Sequence, residues 1–253
     1  MVEEQGGQGI AVRVDHSEPE QVEAFFERVE EEQDGRLDVL VNDVWGGESL
    51  IQFDTPFWQL SLEDGLAMLR QGIETHIITS HYAAPLMVRR KSGLILEITD
   101  GVGDGYRGSL FYDLVKTSVI RLAQAQAVEL RQHKVAALAL TPGFLRSEEM
   151  LDHFGVSEET WRDAIQKDPH FAASETPAYI GRAVAALAAD PDVLSRTGGT
   201  VSTWELAKEY GFTDRDGSRP DWGSHMRKHF QNVPGSQIAG FRHLPNYEGF
   251  WTR

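Results

Sequence analysis

The sequence predicts an α/β protein, one parallel β-sheet covered by helices on both faces. Three observations predict it. Short apolar runs alternate with longer stretches of helical periodicity along 253 residues, the pattern of strand–helix–strand units. The runs "LDVLVND" (37–43), "GLILEITD" (93–100) and "VAALALT" (135–141) are too apolar for strands with one wet face, and suit strands buried on both faces. Cysteine is absent, so burial rather than a disulfide framework must hold the chain together. The length fits one domain, 1–253, with a substantial core.

The elements follow in order. "GIAVRV" (9–14) is the first expected strand. Ser17 and Glu20 stand at capping-box spacing, with Pro19 in the first turn of the helix they open. That helix buries Val22, Phe25, Phe26 and Val29 at helical spacing. Strand 37–43 comes next, then helical sequence from about 56 to 90, then strand 93–100. A helix over 110–133 leads to strand 135–141, which ends at Pro142-Gly143. Residues 144–175 are polar with two weak helical patterns, as expected of a lid. A helix over 177–189 and strand "GTVST" (199–203) close the domain. From about 207 the tail is rich in Gly, His, aromatics and Arg, and is expected to be irregular.

Composition narrows the function. A formal net charge of −15 opposes a nucleic-acid partner, which needs clustered Lys and Arg. No run reaches the roughly 18 apolar residues of a membrane span. The start, "MVEEQGGQG", lacks the basic and apolar regions of a signal peptide. A cytoplasmic protein is the expectation.

The chemistry-bearing residues stand at strand ends. Tyr112 precedes Lys116 by one helical turn, so both share one face of helix 110–133. A tyrosine titrates near pH 10 and becomes a useful acid/base only when its anion is stabilised, which a neighbouring ammonium does. Asp15 ends the first expected strand, Asn42 lies at the end of the second, and Pro142, Gly143 and Ser147 follow the fourth. Sites in open α/β sheets lie beyond the carboxyl ends of strands.

Together these residues resemble the short-chain dehydrogenase/reductase family. The resemblance covers about residues 8–215. It rests on "VRVDHSEPEQV", "LDVLVNDVWGG", Tyr112-x-x-x-Lys116, Pro142-Gly143-x-x-x-Ser147 and "GRAVAALAAD". "ELAKEYGFTDRDG" resembles the subgroup with an extended C-terminus. The family implies a Rossmann-like sheet, NAD or NADP as cofactor, a small carbonyl or alcohol substrate, and a homo-oligomer. It implies that Tyr112 exchanges the proton and that Lys116 lowers its pKa and holds the nicotinamide ribose. By the same resemblance Asp15 contacts adenine, Asn42 lines the cofactor cleft, and Pro142, Gly143 and Ser147 flank the nicotinamide.

The sequence departs from the family at three places. The catalytic serine falls on Asp100, or on Thr99 if the strand shifts by one, and a charged Asp100 opposes the tyrosine anion. The catalytic asparagine falls on Gly72. The opening strand–glycine-loop–helix unit, at least ~30 residues that hold the pyrophosphate at a helix N-terminus, has no counterpart before residue 9. The expectations are a sheet truncated by its first two strands, weak cofactor binding and impaired turnover. A non-catalytic scaffold or binding protein derived from the family is the alternative, and a fragment of a longer reading frame is a third. Strand 9–14 is expected to slide beside 37–43 or to pair with another chain.

Other motifs carry less. Gly103, Gly105 and Gly108 spell G-x-G-x-x-G, but the next strand lacks the acidic end that fingerprint requires; a loop shaping the substrate site is the reading. His225 and His229 lack the glutamate of H-E-x-x-H and read as surface residues. His76 and His81 read as core-edge or interface residues. Trp45, Phe53, Phe57 and Trp58 either pack the loop after strand 37–43 or line an apolar substrate pocket.

Overall fold

The computed structural model describes residues 2–53, 55–102 and 105–229. Four parallel strands form one sheet in the order β1-β2-β3-β4. They are β1 Val39–Asn42, β2 Gly93–Ile98, β3 Val135–Thr141 and β4 Thr200–Ser202. Val39 stands opposite Leu94, Leu94 opposite Ala136, and Ala139 opposite Thr200. Every residue of β3 is buried, as its unbroken apolar run requires of a strand covered on both sides.

Alternation along the strands sends side chains to two cores. On one face Leu40, Ile95, Val135 and Ala137 pack against α1 (Pro19–Glu32), α3 (Thr75–Arg90) and α4 (Leu110–Leu130) through Val22, Phe26, Leu86, Met87 and Ala127. On the other, Leu94, Leu96, Leu138 and Leu140 meet Ala183 and Leu187 of α6 (Pro177–Ala189) and Leu206 of α7 (Thr203–Tyr210). Each buried leucine contributes roughly 1.5–3 kcal/mol. The expected helix over 56–90 is broken. It comprises α2 (Leu62–Leu69), capped by Ser61 Oγ accepting from Asp64 N, a π-helical turn over Arg70–Glu74, and then α3.

The expected lid has a core of its own. α5 (Glu148–Phe154) and two 3₁₀ turns enclose Phe144, Phe154, Trp161 and Phe171. The expected irregular tail contains the end of α7 and then α8 (Trp222–His229); the rest of it lies outside the described residues.

Two expectations are corrected. Residues 9–14 form no strand. The segment pairs with no ladder, and Ile10 and Val12 are exposed, so the slide beside β1 does not occur. It leads instead into a turn fixed by Ser17, whose N–H and Oγ–H both donate to Asp15 Oδ1 (2.9 and 2.6 Å), and by His16 Nδ1 against Thr79 Oγ1 (2.6 Å). That turn also explains the second correction. Ser17 Oγ is committed to Asp15, so the capping box does not form, and Glu18 stands at the N-cap without a side-chain bond. Among the described residues β1 therefore has one neighbour, β2. Beside its free edge lies a groove of about 420 Å³ with walls from Phe25, Phe26, Val29, Leu37, Val39 and Val41.

Candidate active site

β2 ends at Ile98, and the next two residues turn opposite ways. Thr99 is 3% exposed, and its Oγ1 donates to the carbonyl of Lys116 (2.7 Å), tying the strand end to α4. Asp100 faces Tyr112, whose hydroxyl donates to Asp100 Oδ2 (3.2 Å). The choice left open between the two falls to Asp100 as the side chain beside the tyrosine. Tyr112 itself is buried, one turn before Lys116 on α4.

The loop after β1 closes over this pair. Trp45 packs edge-on to Tyr112, with ring centroids 5.9 Å apart, and Phe53 does the same at 6.1 Å. Lys116 Nζ lies 4.4 Å from the centroid of the Trp45 ring and 5.6 Å from that of Tyr112. Trp45 Nε1–H donates to Glu48 Oε2 (2.7 Å). Phe57 and Trp58 pack against each other and are exposed.

A residue that sequence reasoning passed over sits behind Asp100. Arg107, inside "GYRGS", is fully buried. Its Nε donates to the Asp100 carbonyl (2.7 Å), and its Nη1 donates to Asp113 Oδ1 (2.9 Å) and Thr117 Oγ1 (2.9 Å). The guanidinium also lies 3.9 Å from Asp100 Oδ2. No spacing rule marks this arginine, because its partners come from three separate turns of chain.

Electrostatics favour a firmly protonated tyrosine. Burial, and then the Asp100 and Glu48 charges, push Tyr112 well above its ordinary value, opposed by Arg107. Burial also raises Asp100, against the pull of Arg107 and Lys116. Lys116 is lowered by burial, while Asp100, Glu48 and Asp43 act to raise it. Tyr112 thus holds its proton at neutral pH and resists losing it to water.

The remaining sequence-predicted residues are placed as follows. Asn42 is buried, and its Nδ2 donates to Ser80 Oγ (2.8 Å) and Glu97 Oε1 (3.0 Å). It belongs to a network in which Glu97 also meets His76 Nδ1 (2.7 Å) and Gln126 Nε2 (2.9 Å), while His76 Nε2 reaches the Val44 carbonyl (3.1 Å). His76 is thus a core residue that braces the end of β1. Pro142 and Gly143 follow β3, and Gly143 N–H donates to Glu175 Oε2 (2.9 Å). Ser147 caps α5, accepting from Met150 N (3.2 Å). Asp15 is exposed and serves the Ser17 turn. Gly105 and Gly108 are buried, and Gly103 lies outside the described residues. His225 Nε2 meets His170 Nδ1 (2.9 Å), and the described residues hold no group of three or more His, Cys, Asp or Glu suited to a metal ion.

A family profile described as "Enoyl-(Acyl carrier protein) reductase" matches residues 1–201. The mouse protein "Dehydrogenase/reductase SDR family member 1" is 36% identical over 216 residues, 84% of this chain and 69% of that one. This chain belongs to the short-chain dehydrogenase/reductase family. A more distant member, the "3-oxoacyl-[acyl-carrier-protein] reductase" of Synechocystis, is 27% identical over 78% of this chain and 75% of its own. Among solved structures, "ElxO with NADP Bound" superposes with a TM-score of 0.62 at 24% identity, covering 76% of this chain and 75% of that one, a likeness of fold. No described helix is long and apolar enough to cross a membrane.

Proposed function

We propose that this chain is an NAD(P)-dependent oxidoreductase that reduces a small apolar carbonyl compound or oxidises the corresponding alcohol. The observation that carries the reading is the placement of Tyr112 and Lys116. A buried tyrosine hydroxyl, one helical turn from a lysine, stands beyond the carboxyl end of β2 and under a roof of Trp45 and Phe53. Tyr112 donates the proton to the substrate oxygen as hydride arrives from the nicotinamide, the cofactor supplying the hydride and the protein the orientation and the acid. Lys116 compensates the charge left on the tyrosine and holds cofactor hydroxyls. Pro142 and Gly143 flank the nicotinamide, with Gly143 fixed by Glu175. Asp100, in the serine position, orients the Tyr112 hydroxyl.

Cofactor affinity is expected to be low. The described residues beside β1 include no strand–glycine-loop–helix unit, and Asp15 is committed to a surface turn. Losing two or three charge-assisted hydrogen bonds, at ~1.5–3 kcal/mol each, costs two or more powers of ten in affinity. The 253-residue chain is expected to bind NAD(H) or NADP(H) no tighter than about millimolar. Titration calorimetry with all four nucleotides tests this, and a micromolar dissociation constant would show that another segment supplies the phosphate site.

The β1 edge, unpaired among the described residues, also favours a second reading, a non-catalytic binding protein on this scaffold. Incubating the chain with millimolar NAD(P)H and a panel of apolar aldehydes and ketones separates the two. Alcohol product supports the enzyme; its complete absence at saturating cofactor supports the scaffold.

A further inference from the structure

The π-helical turn between α2 and α3 has Gly72, a buried residue, at its middle. Such turns gather at functional sites because they redirect the side chains that follow. Here the redirected position carries no side chain. A Cβ on Gly72 would stand 2.4 Å from Val115 Cγ1 and 3.0 Å from Trp45 Cζ3. The notch is therefore filled from outside the helix, most closely by Val115 and on its other side by the indole of Trp45. Gly47 closes the other side, since its Cβ would lie 2.5 Å from Trp45 Cη2. The Glu48 carboxylate holds the indole N–H, so the ring is fixed at both ends.

Lys116 rests on the face of that ring. Its Nζ is 4.4 Å from the indole centroid. Asp43, Glu48 and Asp100 act on it through their fields, yet among the described residues no carboxylate oxygen forms an ion pair with it within 4 Å. This distinction matters for a lysine. Its ammonium is a point charge on a flexible four-carbon stem with three rotatable donors. A carboxylate would fix the ammonium by consuming those donors. An aromatic face attracts the charge, most strongly for Trp and in a desolvated place, and leaves the N–H groups free.

We propose that Trp45 is the positioning residue of Lys116: its indole, seated in the notch that Gly72 leaves in the π-turn, holds the ammonium beside Tyr112 while leaving the N–H donors available to a bound ligand. This rests on the reading of Tyr112 and Lys116 as the acid–base pair. It makes positions 45 and 72 a matched set. A side chain at 72 crowds Val115 and pushes on the indole, and a non-aromatic residue at 45 releases the lysine.

The first test needs no turnover. In protein carrying ¹³Cε-lysine, with the Lys116 signal assigned by its loss in Lys116→Arg, the wild-type Lys116 ε-protons show an upfield ring-current shift. Trp45→Phe keeps much of that shift; Trp45→Leu removes most of it, leaving the smaller contribution of the more distant Tyr112 ring. Gly72→Ala, which pushes on the indole, changes it, and the same change in Gly72→Ala/Val115→Ala, which relieves the closer Val115 contact, guards against a folding defect. In carbonyl reduction, Trp45→Leu lowers kcat by roughly 2- to 30-fold, the range set by a cation–π contact, and Trp45→Phe recovers most of it. A wild-type Lys116 signal without an upfield shift overturns the proposal, as does a shift unchanged in Trp45→Leu, or equal losses of kcat in the Phe and Leu variants. If no turnover exists in any variant, the functional reading fails while the ring-current shift still decides whether Trp45 holds Lys116.

Discussion

At Tyr112 two opposing influences meet, and the structure shows which prevails. The ammonium of Lys116 was expected to ease ionisation, but burial and the Asp100 charge hold the phenol well above its ordinary value. Removing that charge should therefore make Tyr112 easier to ionise. In alcohol oxidation, where tyrosinate accepts the proton and the rate falls as the tyrosine is protonated, Asp100→Asn should move this acidic limb of the pH–rate profile to lower pH; an unmoved limb would remove Asp100 from the site's electrostatics. Glu175 makes a second prediction, on stability. It is fully buried and bridges Gly143 N–H and Thr203 Oγ1. Its pKa is raised to about 8, first by desolvation. A carboxyl whose folded pKa lies above its unfolded value stabilises fully below about pH 4.5, and that contribution is lost as pH rises to about 8. It amounts to roughly 3–5 kcal/mol, at 1.36 kcal/mol per pH unit. Chemical denaturation from pH 5 to 9 should show a shallower fall of stability in Glu175→Gln than in the wild type, and parallel curves would contradict this. The Tyr112–Lys116 pair was legible because i,i+4 spacing on a helix is local. Asp100 was the favoured residue at the strand end too, with Thr99 one register step away, since sequence alone does not fix the last register of a strand; it is Asp100 that accepts the Tyr112 hydrogen bond. Arg107 left no signal, since only the fold brings Asp100, Asp113 and Thr117 around it.

Among the elements, β1, β2 and β3 were read from their apolar runs to within two residues, because short runs bounded by turn and helix signals suit strands buried on both faces. Segment 9–14 is also rich in β-branched residues and forms no strand. Composition supplies propensity, whereas a strand exists only when a neighbour takes its N–H and C=O groups. The π-turn at 70–74 was equally invisible, since one extra residue in a helix leaves the apolar spacing of the following turns intact. α7 and α8 are eight residues each, too short for a clear period. α8 docks on the turn at Pro169–Ala173 through the His170–His225 hydrogen bond, and the Trp222 ring stacks on His225. Burial, with His229, His170 and Lys228 nearby, lowers His225 to about 4. A depressed histidine stabilises above its unfolded value near 6.5, and that contribution is lost as pH falls toward 4. α8 should therefore undock on mild acidification, reported by a change in Trp222 fluorescence that His225→Gln abolishes. A transition of the same amplitude and midpoint in His225→Gln would rule the histidine out as its cause.

For the whole molecule, the surfaces left uncovered are the informative ones. Leu62, Leu66, Ile77, Leu114 and Val128 are exposed on α2, α3 and α4, and the sequence resemblance implies a homo-oligomer. Burying such a set between copies is favourable at roughly 25 cal/mol per Å² of apolar area. The expected outcome of light scattering at micromolar concentration is a mass that is a multiple of one chain; a single-chain mass at every concentration would count against it. The central claim remains that Tyr112 is the acid of a nicotinamide-dependent reaction. Its most direct test compares the wild type with Tyr112→Phe at millimolar NADPH and saturating apolar carbonyl. The account predicts alcohol formation by the wild type that falls by ~10²- to 10⁴-fold in the variant, the range for a general acid, with folding unchanged. Equal rates in the two proteins would contradict it.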